Sequence, residues 1–172
     1  MTEFVKPICG ILTGNKDSLP EVLSSLENYF GKADIVGKWI PFDHTNYYEP
    51  EMGPNLSRCF VSFENLVEPF KSGEFKNHIK EIEENFSVNG KRMVNLDPGY
   101  LDANKVVLIT GKHGGHKIAL SLGIWADMLL WYNKGWVALP WAFPDFRDGR
   151  LFPVFTKIRI HFKEQLRSRP GP

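Results

Sequence analysis

Four polar stretches hold residues that are able to do chemistry and that no apolar pattern explains. In the first, Asp43-His44-Thr45-Asn46-Tyr47-Tyr48-Glu49-Pro50-Glu51-Met52-Gly53, the carboxylates of Asp43 and Glu51 suit acid–base work or a divalent metal held through oxygen. The other reading is that the tyrosines cover a sheet edge and the acids are solvated. The second is Asn95-Leu96-Asp97-Pro98-Gly99-Tyr100. Asp-Pro-Gly forms a turn unaided, with the Asp side chain capping it; that role explains Asp97, while Asn95 points off a strand end beside it. The third, Lys112-His113-Gly114-Gly115-His116-Lys117, sets two histidines around a glycine pair. They suit proton transfer or metal ligation, and the glycines let a ligand approach the backbone closely. The alternative is an exposed basic hairpin tip. The fourth, Trp141-Ala142-Phe143-Pro144-Asp145-Phe146-Arg147-Asp148, offers either a stacking wall for a base or sugar or a seal over one end of a core.

Several activities are argued against. The run from Gly111 to Lys117 has glycines and lysines but not the spacing G-x-x-x-x-G-K-[ST], and it lies between two strand candidates, with no helix N-terminus facing a phosphate. The turn after the first strand lacks G-x-G-x-x-G, and neither G-x-S-x-G nor H-E-x-x-H occurs. The net charge of +1 and pI near neutrality, without a basic stripe, argue against tight nonspecific nucleic-acid binding.

These stretches need a scaffold, and 172 residues suffice for one domain spanning 1–172, with 168–172 as a frayed tail. A chain of this length buries roughly 70% of its unfolded surface without metal or disulfide. Cys9 and Cys59 sit in apolar strand candidates and read as buried free thiols. The N-terminus has no signal-peptide pattern and no run reaches the ~18 apolar residues of a membrane helix, so the expectation is a cytoplasmic protein without a membrane partner. Residues 1–86 carry 8 basic and 14 acidic groups, and residues 87–172 carry 13 and 6. Either the basic half draws an anion, or the two halves interleave and complement each other.

The elements follow from periodicity. A strand over 6–13 precedes a helix capped by Ser18 and Glu21 as a capping box, with Leu19, Val22, Leu23, Leu26 and Phe30 on one face and Gly31 at its end. A strand over 34–42, a long connection over 43–57 and a strand over 58–64 come next. A helix over 74–86 carries Phe75, Ile79, Ile82 and Phe86 at helical spacing; Asn89-Gly90 stops it, and a strand spans 92–96. The order β-α-β-β-α-β is that of a ferredoxin-like half in an α+β protein, with helices on one face of an antiparallel sheet. Strands over 105–111, 116–122, 124–132 and 136–141 then read as an antiparallel β-meander, and a C-terminal helix from 153 buries Phe155, Ile158, Phe162 and Leu166.

The runs F-D-H-T-N-Y-Y-E-P-E-M-G (42–53), R-C-F-V-S-F-E-N-L (58–66), N-L-D-P-G-Y-L (95–101), G-K-H-G-G-H-K-I (111–118) and W-A-F-P-D-F-R (141–147) resemble a prokaryotic family known as domain of unknown function 4416. The resemblance covers nearly the whole chain. It points to Asp43, Tyr47, Tyr48, Glu51, Met52, Gly53, Arg58, Asn95, Asp97, Tyr100, Lys112, His116 and Asp145 as the residues of interest. Lys117, Asp127 and Phe146 depart from the pattern, where Arg, Glu and Tyr are usual.

Two functional readings stand. One is an enzyme or ligand-binding protein for a small anionic metabolite or nucleotide. Lys112 and Arg58 would neutralise charge, His116 would be acid or base, and Asp43 and Glu51 would hold a divalent metal or orient the substrate. The other is a non-catalytic module for RNA or a protein partner, with Tyr47, Tyr48 and Trp141 on an open surface. In a plain meander the Asp43 loop and His116 share one end of the sheet, opposite Asp97 and Asp145. In a curled sheet Asp97 meets Asp43 and Glu51 instead.

Overall fold

The structure, a computed structural model, describes residues 3–169. The first strand, β1 (Lys6–Thr13), is buried along its whole length. Residues of both parities in it are apolar, and such a strand belongs inside a sheet covered on both faces. It pairs antiparallel with β4 (Ser57–Phe63) from Ile8↔Ser62 to Thr13↔Ser57, and with β7 (Val94–Leu101) from Lys6↔Leu101 to Thr13↔Val94. The helices α1 (Leu19–Phe30) and α3 (Phe75–Asn85) cover one face, where Val22, Leu26, Phe30, Phe75 and Ile79 pack on Cys9, Ile11, Cys59, Val61 and Phe63. The expected stripes at helical spacing are therefore the ones buried. The fold is α+β, with a large antiparallel sheet.

The opposite face is not left open, as helices on one side would leave it. The C-terminal helix α5 (Phe152–Ser168) lies there, burying Phe155, Ile158 and Phe162 against Ile8, Phe60, Leu101 and Trp136, while Leu166, expected to be buried with them, is exposed in the last turns. Its last turn still includes Ser168, and residues 170–172 of the expected frayed tail lie outside the described residues.

The second half of the sheet departs from a plain meander. The full order is β11-β10-β8-β7-β1-β4, ending in β2 (Ala33–Val36). Here β8 is Lys105–Thr110, β10 is Ile124–Tyr132 and β11 is Trp136–Ala138. The strand between them in sequence, β9 (Ile118–Ser121), pairs with the far side of β10 rather than with β8. Burial decides the swap. All four residues of β9 are exposed, whereas β10 brings Ile124, Leu129 and Leu130 to the core and takes the inner place.

Smaller differences have local causes. The expected strand over 34–42 is two pieces, β2 and β3 (Ile40–Pro41), both on β4. The long connection contains one turn of helix, α2 (Glu49–Met52), whose Met52 packs with Leu56 on Leu12. Asn89-Gly90 does more than stop α3. With φ of 52° and 75° it turns a hairpin between β5 (Ser87–Val88) and β6 (Lys91–Arg92). Ser18 does not form the capping box. Asn15 accepts the Asp17 N–H at 3.2 Å and starts a 3-10 turn, and the Ser18 hydroxyl donates back to the Asn15 carbonyl at 2.7 Å. A last short helix, α4 (Pro144–Arg147), buries Asp145 and Phe146.

Candidate functional site: a cleft in the sheet

Asp97-Pro98-Gly99 is not a turn. The three residues continue β7, and they create the site by interrupting its pairing. Of the residues of β7, only Gly99, Tyr100 and Leu101 pair with β8. A side chain on Gly99 would collide with the Val107 carbonyl, so the two strands touch closely there. One step earlier the pairing ends. The Leu96 N–H points away from β1, to the Glu83 carboxylate at 2.7 Å. Strand alternation puts the Pro98 nitrogen on the same side, and proline has no N–H to give β8. Beyond Pro98 the strands part. Two side chains of α3 replace the missing strand: Glu83 accepts the Leu96 N–H, and the Lys76 ammonium donates to the Leu96 carbonyl at 3.2 Å.

The parted strands leave a cleft of about 570 Å³. Lys76, Lys80, Glu83 and Glu84 of α3 form one wall, and Tyr48, Asn95, Asp97, Lys112, Lys117, Asp127 and Phe143 complete it. Behind the walls runs a charged network. Arg92 holds both oxygens of Glu51, at 2.8 and 2.9 Å, and donates to Asn95 Oδ1 at 2.9 Å. Arg58 donates to Asp145 at 2.5 Å and to Asp97 at 3.2 Å, and Asn95 donates to that same Asp97 oxygen at 3.2 Å. The bonds from Arg92 hold the Glu51 carboxyl below its usual range. Burial pushes Glu83 up and pushes the Tyr48 phenol to about 12. Asp97 is tied to Arg58 and Glu83 stands 3.5 Å from Arg92, whereas Lys80 has no ion-pair or hydrogen-bond partner among the described residues.

Asp127 is the least settled group in the cleft. It is 4% exposed, yet its Oδ1 accepts no hydrogen bond. His116 Nε2 stands 3.3 Å from Oδ1, and Lys117 Nζ is 3.6 Å from Oδ2. Neither makes an aligned hydrogen bond to it. Burial raises the pKa of Asp127 against the pull of these two neighbours. A carboxyl whose folded pKa is raised contributes stability that is present below its unfolded value and lost as pH rises through the folded one. Asp127→Asn is therefore expected to melt above the wild type near pH 7, with the gap closing as pH falls toward about 4. Thermal melts across that range check it. A variant that melts lower at pH 7 shows instead that His116 and Lys117 more than offset the burial.

The cleft gathers parts of all four polar stretches. Tyr48, Asn95, Asp97 and Lys112 line it, and Arg58 and Glu51 stand directly behind. Tyr47 is on the rim, its hydroxyl 3.3 Å from the Lys112 ammonium. His116 stacks on Trp141 at 4.9 Å behind Asp127. Two expected residues lie elsewhere. Asp43 is on the surface, 2.9 Å from Arg150, which also pairs with Asp148. Tyr100 faces a different hollow, beside Phe4 and Pro69. Asp43, Glu51 and His116 therefore do not line one cavity. Among the described residues no three His, Cys, Asp or Glu groups stand together as a metal site; Asp43, Glu51 and Asp97 are each held by a different arginine.

Lys76, Lys80, Glu83 and Arg92 were not among the expected residues. One signal was present: Glu83 follows Ile79 by four and so falls on the apolar face of α3, where an acid needs a partner. Another hollow of about 600 Å³ lies beside α5, but it is shallow and open, walled by exposed side chains such as Glu164 and Arg169. Cys9 and Cys59 are buried free thiols, both pushed up by burial, Cys59 to about 12.

Fold and cleft together define an α+β protein whose antiparallel sheet is split between two inner strands. Residues 3–162 match the family model described as domain of unknown function (DUF4416), and the chain belongs to that family. No curated protein matches it. No helix among the described residues is long and apolar enough to cross a membrane.

Proposed function

We propose that the protein binds a small anionic metabolite or nucleotide in the cleft between β7 and β8, as an enzyme or as a ligand-binding protein. The observation that carries this reading is the meeting of Lys76 and Lys80 from α3 with Lys112 and Lys117 from the segment after β8. Lys76, Lys80 and Lys112 have no carboxylate partner among the described residues, Lys117 stands 3.6 Å from Asp127, and ammonium groups that share a concave wall concentrate an anion. The half formed by β1, α1, β2, β4, α3 and β7 supports a ferredoxin-like unit, since its strands run antiparallel in the spatial order β7-β1-β4-β2. Within that unit α3 supplies one wall, and the strands added after it supply the other.

The test is a thermal-shift series with inorganic phosphate, pyrophosphate and phosphorylated metabolites. A ligand at a hundred times its Kd adds about 2.7 kcal/mol, and each kcal/mol moves Tm by roughly 2–4 °C at this size. A shift is expected in the wild type and its loss in Lys80→Ala. Lys80 is exposed and has no bond to lose, so Lys80→Ala should fold normally, whereas Lys76→Ala also removes the bond to the Leu96 carbonyl and is read only beside its own melting curve without ligand. An anion-induced shift that survives the double substitution places the anion elsewhere and ends this reading.

A further inference from the structure

We infer that the ligand of the cleft carries, besides its negative charge, a hydrogen-bond donor of its own (an ammonium, amine or hydroxyl) that is met by the carboxylate of Asp127. The inference rests on the anion reading above and narrows its substrate class. Asp127 sits on β10 opposite Leu108, in the middle of a paired stretch, so its backbone is fixed. Its side chain is nine-tenths buried, and the little surface it keeps opens on the cleft. Its Oδ1 is shut off without a hydrogen bond, and Lys117 at 3.6 Å is too far to give Oδ2 one. A buried acceptor left unmet is costly. The neighbouring acids do not share this condition: Glu83 accepts from Leu96, and Asp97 from Arg58 and Asn95. Of the two buried carboxylates that line the cleft, Glu83 and Asp127, Asp127 stands without an aligned donor.

The arrangement separates two jobs. The four lysines hold the anionic group. Asp127, flanked by His116 and Lys117, reads the remainder of the molecule. A donor on the ligand gains a charge-assisted bond in a place with little water, where such bonds are stronger than between neutral groups. An anion without a donor leaves Asp127 as it is and takes only the lysine contribution.

The experiment compares O-phosphoethanolamine with ethyl phosphate by titration calorimetry on the full chain. The two share the phosphate and differ at the ammonium. Wild type is expected to bind O-phosphoethanolamine about tenfold more tightly, the equivalent of one good charge-assisted contact. In Asp127→Asn the two should bind within about twofold of each other. Equal affinities in wild type overturn the inference and leave the anion reading standing, and this comparison needs no variant. A preference that persists in Asp127→Asn overturns it too. If neither compound binds, the anion reading fails and this inference with it.

Discussion

Arg58→Met is expected to cost about 3–5 kcal/mol of stability, because removing one partner of a buried ion pair leaves the other charge uncompensated. Arg58 is 3% exposed and Asp145 is 2% exposed, and they meet at 2.5 Å. The second arm of Arg58 reaches Asp97, and its guanidinium lies 4.7 Å from the centre of the Phe42 ring. Methionine keeps much of the apolar stem and none of the charge. Asp145, whose Oδ1 already has no hydrogen bond, then has no cation in reach. A Tm drop on the order of 10 °C follows. The double variant Arg58→Met, Asp145→Leu should recover most of the loss, since apolar pairs replace buried ion pairs at little net cost. Denaturant titration of the wild type and the two variants decides the matter. A single-variant loss under about 1 kcal/mol is the range of an exposed pair and would show that water reaches Asp145.

Lys6→Met is the second large effect, of similar size, about 3–5 kcal/mol, at the other end of β1. The Lys6 ammonium is fully buried and donates to Asp34 at 2.5 Å, to the Phe63 carbonyl at 2.9 Å and to Gln165 at 2.7 Å. It thereby fastens β2, β4 and α5 to one point. Burial lowers the Lys6 pKa, and Asp34, though burial opposes it, is held low by its bonds to Lys6 and Ser62. A carboxylate with a lowered folded pKa gives stability that is present above its unfolded value and lost as pH falls through the folded one. The gap between wild type and Lys6→Met should therefore be widest near neutrality and shrink in acid, as Asp34 takes up a proton in the variant. A gap that does not change with pH would mean that packing of the lysine stem, rather than its charge, accounts for the loss.

How much of this was legible in the sequence depends on how far apart the deciding residues lie. The stripes on α1, α3 and α5 and the burial of β1 and β4 are set by neighbours within a few residues, and those elements form as expected except at Leu166, where α5 runs past the core and the side chain is exposed. The place of β9 is decided by competition with β10 for the inner position, which no local pattern records. Asp97-Pro98-Gly99 carries a strong local turn signal, and yet it lies in a strand. A proline is tolerated there because β8 turns away at that rung, and that is a property of the whole sheet. Among the site residues, Tyr48, Asn95, Asp97 and Lys112 stood out as polar groups off the core pattern. Lys76 and Lys80 looked like any solvated helix face. Asp43 looked like an acid free for chemistry until Arg150, 107 residues away, was found beside it.

The carboxylate that stands in for a strand at Leu96 has a spectroscopic consequence. Most amide protons in this sheet answer to a backbone carbonyl, which never titrates. The Leu96 amide proton answers to Glu83, which does, and Arg92 lies 3.5 Å from the same carboxylate oxygen. Its NMR resonance is therefore a built-in gauge of the cleft's charge state. It should move with pH as Glu83 is protonated, and move again when an anion draws Lys76 off the Leu96 carbonyl. One labelled amide, read in solution, follows occupancy of the cleft without any assay of turnover.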